Sequence, residues 1–202
     1  MSKTIRRILI SVIAVLFISC AEVLATEVKI LFTGETHSAL YPCDCPKEPD
    51  GGVARRASLI KDMRKKFPNS LLFETGGFFA GGIQDVYSQN VDLDKKRTQV
   101  YVRSLEIMGY DAVGIGDDEF NFGLDFLKEI IQKSNLRFVS ANLKLENISP
   151  YIIKEVGGVR FGIIGATTLA ARQKAGIAEI IEPFVAVKQY VAELKDKDVD
   201  FI

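Results

Sequence analysis

The sequence predicts an α/β fold built on a mostly parallel sheet with one β-hairpin. Short apolar runs alternate with amphipathic segments of helical period, the pattern of strand–helix–strand units. Glycine-rich or acidic stretches follow the apolar runs, as loops at the carboxyl ends of parallel strands do. Gly157-Gly158 sits between two apolar runs and marks the hairpin.

Taken in order, 28–33 (VKILFT) reads as a buried strand, followed by a long loop over 34–52. Segment 53–67 reads as a helix, because Val53, Ala57, Ile60, Met63 and Phe67 share one face and Lys and Arg fill the other. A second strand over 71–74 leads into the Gly-rich loop 75–82. A helix is expected from a cap at Asp92 to Met108, stopped by Gly109. A third strand over 112–115, a helix over 124–133 and a fourth strand over 137–141 follow. The hairpin arms are 151–156 and 159–164; Pro183 opens a last helix to Leu194, and 199–202 begins a further strand. A strand broken off there would leave an open sheet edge, so a C-terminal portion or a partner is expected to complete the fold.

Composition narrows the function classes. The 202 residues carry 26 Lys and Arg against 26 Asp and Glu, so nothing favours a nucleic-acid partner. A 48% hydrophobic content excludes a disordered chain, and three Cys are too few for a disulfide-built scaffold. Residues 1–25 have the layout of a secretory signal peptide: Lys3, Arg6 and Arg7, then an apolar run from Ile8 to Ile18, then small residues. That run is shorter than the roughly 18–20 residues that span a bilayer, so no transmembrane helix is expected in the mature chain, 26–202. Cleavage after Ala25 is the main reading and lipidation of Cys20, as in an outer-membrane-type lipoprotein, is the alternative. Both put the mature protein in the periplasm or outside the cell, where disulfides persist.

The unusual residues collect in the predicted strand-end loops. Thr33-Gly34-Glu35-Thr36-His37 sets a carboxylate two residues from the only His, an arrangement able to reach one metal ion. Cys43 and Cys45 flank a single residue; a metal site, a strained disulfide and a structural clip all fit that spacing. Gly51-Gly52 before a helix, with Arg55 and Arg56, is a candidate anion site against a solvated basic face. The run from Glu74 to Gly82 lacks the Gly-Lys-Ser/Thr ending of a phosphate-cradling P-loop. Gly116-Asp117-Asp118-Glu119-Phe120-Asn121 offers hard oxygen donors suited to Mg, Mn or Ca.

In their order these segments resemble the calcineurin-like metallophosphoesterase domain of the periplasmic 5′-nucleotidase and UDP-sugar hydrolase family. The matching stretches are Thr33 to His37, Gly51 to Arg55, and Thr75-Gly76-Gly77-Phe78. The run from Met108 to Asn121, Ser140-Ala141-Asn142, and Ile163 to Thr167 complete them. The resemblance implies the N-terminal half of a metallophosphoesterase-like βαβ sandwich that hydrolyses nucleotides or other phosphoesters with divalent Mn, Mg or Zn. It implies metal ligands at Glu35, His37 and Asp117, and catalytic roles for Asp118 and Asn121. The chain departs from the family where a bridging Asp is expected, a position aligned here with Phe78, and where the catalytic His is expected, here Asp118. Two functions are therefore carried forward: a divergent phosphoester hydrolase, and a non-hydrolytic metal-binding, redox or interaction module centred on His37, Cys43 and Cys45.

Overall fold

The structure is a computed structural model, and it describes residues 26–43, 46–47, 50–176 and 178–202. The signal-peptide reading, Cys20 and Cys45 fall outside the described residues. Five strands form the central sheet: β1 (Lys29–Thr33), β2 (Ser70–Glu74), β3 (Ala112–Gly114), β4 (Phe138–Val139) and β6 (Ile148–Ser149). They lie in that order and every neighbouring pair is parallel. Helices α1 (Val53–Lys66), α2 (Val91–Met108) and α3 (Leu124–Lys133) make the first three crossovers. A strand order that follows the chain, with right-handed crossovers, sends these helices to one face.

Alternation along the strands confirms which face that is. Leu72, Val113 and Phe138 join the core with Ile60, Tyr101, Leu105, Leu127 and Ile130. The opposite face carries Leu71, Phe73 and Ala112, and at its edge Ile30 and Phe32 of β1 stay exposed. Helix α3 buries Phe126, Leu127, Ile130 and Ile131 on one stripe, each contributing about 1.5–3 kcal/mol when fully covered.

Most local signals work as read. Gly109 ends α2 in the left-handed region at φ 70°, its N–H donating to Glu106 O and Leu105 O. The hairpin joins β7 (Tyr151–Val156) to β8 (Val159–Ile164) through Gly157 and Gly158 at φ 62° and 78°. Helix α4 (Pro183–Lys195) starts on its proline. Segment 199–202 forms only a bridge, Phe201 alongside Phe161 of β8. The cap of α2 differs from expectation: Asn90 accepts the Leu93 N–H at 3.1 Å, and Asp92 lies inside the first turn. Three short strands went unread: β6 at the edge of the central sheet, and β5 (Leu143–Lys144) and β9 (Glu179–Ile180), which pair antiparallel and tie 166–182 to the end of the sheet.

Candidate metal centre

Three loops at the carboxyl ends of β1, β2 and β3 meet and lock together. Glu35 N–H donates to Gly76 O at 3.0 Å and His37 N–H to Gly77 O at 2.9 Å. These bonds hold Glu35, His37 and Ser38 in the left-handed region, at φ 51°, 44° and 51°. Non-glycine residues rarely sit there, and such strain gathers at functional sites. Ser38 anchors the turn by donating to Phe78 O at 2.7 Å.

The third loop is clamped from beneath by Glu119, which is fully buried. One carboxylate oxygen accepts from Gly116 N–H at 2.6 Å and Gly77 N–H at 3.1 Å, and the other from Phe78 N–H at 2.7 Å and Phe79 N–H at 3.3 Å. Burial raises its pKa to about 7 against the pull of those four bonds. A second buried acid, Glu74, is also raised to about 7 by burial, although Thr33 Oγ1 donates to it at 2.8 Å.

On this frame the side chains of Glu35, His37 and Asp118 each bring one donor atom within 4.8 Å of the others. His37 Nδ1 is 3.2 Å from Asp118 Oδ2, and His37 Nε2 is 3.6 Å from Glu35 Oε2. His37 Nδ1 is buried and makes no hydrogen bond, despite that short approach to Asp118. Two donors facing one point with no proton shared between them suit a cation. Two glycines make room for the acids. A Cβ at Gly77 would lie 2.5 Å from Glu35 Oε1, and one at Gly82 would lie 2.8 Å from both Asp118 carboxylate oxygens. The donor set therefore fits one divalent ion, with Glu35 on the solvent side at 75% exposure.

The other expected site residues lie around this group. Asp118 stands with Glu35 and His37 in this group, and Asp117 does not. Asp117 Oδ2 instead accepts from Lys174 Nζ at 3.0 Å. Asn121 donates to Ala80 O at 3.1 Å and accepts from Lys174 at 2.9 Å, so its amide braces the loop. The residues of the 75–82 loop that face the acids are Gly77 and Gly82, not Phe78. Phe78 is fully buried, packed edge-on to Phe79 at 5.2 Å, because the tight glycine turn places its ring in the core. Arg55 is exposed and 3.7 Å from Asp50. Arg56 lies over the Tyr101 ring and donates to its hydroxyl, so that cation is engaged within the protein. Both line a surface groove of about 660 Å³ with Thr33 and Gly52, and Glu35, His37 and Asp118 do not line it. Cys43 is not among the gathered donors; its Sγ accepts from Asp50 N–H at 3.3 Å within its own loop.

Lys174 was missed from sequence. Gly77 and Gly82 were read only as part of a glycine run, Glu74 as its first residue and Glu119 as a metal donor, so the clamp made by Glu119 and the burial of Glu74 went unread. Lys174 follows a short 3-10 turn, Leu169–Gln173. Buried Asn142 pins that segment, donating to Thr167 O at 2.8 Å and accepting from Thr167 N–H at 2.7 Å. Partial burial alone would lower the Lys174 pKa; hydrogen bonds to Asp117 and Asp118 outweigh it and raise the value. Among the described residues, no helix is long and apolar enough to cross a membrane.

Comparison with known proteins adds relatives that share this architecture. The chain is 34% identical over 140 residues to the trifunctional nucleotide phosphoesterase protein YfkN of Bacillus subtilis, covering 64% of this chain and 10% of that protein. It is 30% identical over 186 residues to the snake venom 5′-nucleotidase of Crotalus adamanteus, covering 84% of this chain and 30% of that one. The crystal structure of a 5′-nucleotidase precursor from Thermus thermophilus superposes with a TM-score of 0.74 at 27% identity, over 85% of this chain and 35% of that chain. No family model matches the chain. The chain spans less than a third of the length of these two curated relatives. Shared sequence and shared fold place it among the relatives of the calcineurin-like 5′-nucleotidase phosphoesterases.

Proposed function

We propose that the protein is an exported phosphoester hydrolase acting on a nucleotide or a similar phosphomonoester, with a single divalent ion at Glu35, His37 and Asp118. The observation that carries this reading is the convergence of those three donors, one of them a buried ring nitrogen without a hydrogen bond. Relatives named as nucleotide phosphoesterase and 5′-nucleotidase support the reaction class. The pattern of residues 1–25 supports export.

Each residue has a task in this reading. A divalent ion there would polarise a phosphoryl oxygen and make bound water a nucleophile near neutral pH. Glu35 and Asp118 supply the anionic donors and His37 the neutral one. Glu35 is one methylene longer than Asp, and it extends into the space that a side chain at position 77 would fill. The positive-φ turn and the bonds to Gly76 and Gly77 pre-set the two first-loop donors before any ligand arrives. The open side at Glu35 leaves a path for an ester bearing a large leaving group.

The test is a phosphatase assay with p-nitrophenyl phosphate and nucleoside 5′-monophosphates, run in Mn, Mg or Zn and after chelation. Turnover that requires a divalent ion and disappears in His37→Ala supports the reading. A folded protein that turns over none of these esters with any of the three ions contradicts it.

A further inference from the structure

One charged side chain at the site has no task in the hydrolytic reading. Lys174 Nζ lies 3.0 Å from Asp117 Oδ2, 3.1 Å from Asp118 Oδ1 and 2.9 Å from Asn121 Oδ1. An ammonium has three N–H donors, and all three are placed. Asp118 is therefore shared: Oδ1 faces the lysine and Oδ2 faces His37 and the candidate ion position. The lysine is not a stray surface group. It sits at the end of the turn that Asn142 fastens through Thr167, and Arg172 donates to Ile180 O at 2.9 and 2.6 Å on the same segment.

We propose that the Lys174 ammonium is the second cation of this centre, paired through Asp118 with one divalent ion, and that the two together bind a phosphate-type oxyanion. The proposal rests on the one-ion reading above and extends it to ligand recognition. Three arguments carry it. Glu35, Asp117 and Asp118 against Lys174 leave two negative charges, the complement of a single divalent ion. Among the described residues a second ion would compete with Lys174 for its donors, because Gly77 has no side chain and Lys174 already engages Asp117 Oδ2 and Asn121 Oδ1. Finally, once Asp118 also answers to the ion at Oδ2, its hold on Lys174 through Oδ1 weakens, and one N–H turns to an incoming oxyanion.

The experiment is calorimetric titration of the protein with Mn²⁺ and then with inorganic phosphate, for wild type, Lys174→Gln, Lys174→Arg and His37→Ala. Wild type is expected to take up one Mn²⁺, with His37→Ala weakening uptake, and to bind phosphate only when Mn²⁺ is present. Lys174→Gln keeps the single Mn²⁺ and weakens phosphate by at least about tenfold, the loss expected for one charge-assisted hydrogen bond. Lys174→Arg keeps a cation that can hydrogen-bond phosphate and is expected to bind it more tightly than Lys174→Gln. Uptake of two Mn²⁺ by wild type overturns the proposal without any substitution. Undiminished phosphate affinity in folded Lys174→Gln overturns it too, and leaves the one-ion reading standing. No Mn²⁺ uptake by wild type removes that reading and the lysine proposal together.

Discussion

Glu119→Gln is the most informative single change to the frame of the site. The carboxylate accepts four backbone N–H bonds, two on each oxygen, and joins the 75–82 loop to the 116–121 loop with no water access. Glutamine keeps one oxygen and turns an NH₂ toward the other pair of donors. Two buried N–H groups then lose their acceptor, each costing about 1–3 kcal/mol, so the expected loss is roughly 2–6 kcal/mol. With a urea slope of about 2 kcal/mol per molar, the unfolding midpoint falls by about 1–3 M. Urea denaturation followed by far-UV circular dichroism measures this directly. The same variant should bind Mn²⁺ less tightly, because Gly77 and Asp118 sit on the two loops that part. A midpoint within about 0.3 M of wild type, below the cost of one orphaned donor, would refute the claim that Glu119 is the clamp.

Further outcomes follow from the same geometry. Burial lifts Glu74 from 4.5 to about 7, so between those values the folded protein holds a proton that the unfolded chain releases. Its contribution is full below the unfolded value and is lost as pH rises through about 7, a change of roughly 3 kcal/mol. Glu74→Gln should show a flatter loss between pH 5 and pH 8 in urea midpoints; equal pH slopes for the two proteins would contradict this. Gly77→Ala forces a Cβ to φ 70° and to within 2.5 Å of Glu35 Oε1. It should weaken Mn²⁺ binding by at least about tenfold, through displacement of one charged donor, and unchanged affinity would show that Glu35 is not a ligand.

Much of the fold was legible because its signals are local. Helix α3 and the arms of the hairpin fall where periodicity and Gly157-Gly158 put them. The α2 cap was misread because Asn90, Asp92 and Asp94 all suit a helix start, and only the backbone decides which is the cap. The site was legible in part. Glu35, His37 and Asp118 were marked by residue type at strand ends, but which of Asp117 and Asp118 stands beside Glu35 and His37 is set by the turn at Asp118–Phe120. A one-residue register choice among Gly76, Gly77 and Phe78 is likewise set by three-dimensional packing. Lys174 could not be found from sequence, since a lone lysine meets Asp118 across 56 residues only through the Asn142 tether.

The most direct measurement is anomalous diffraction from crystals of the protein soaked in Mn²⁺. One manganese peak, about 2.0–2.3 Å from Glu35, His37 and Asp118 and with the Lys174 ammonium still beside Asp117, is the predicted result. A peak at Cys43, a pair of peaks spanning Asp117 and Asp118, or none at His37 would contradict the account.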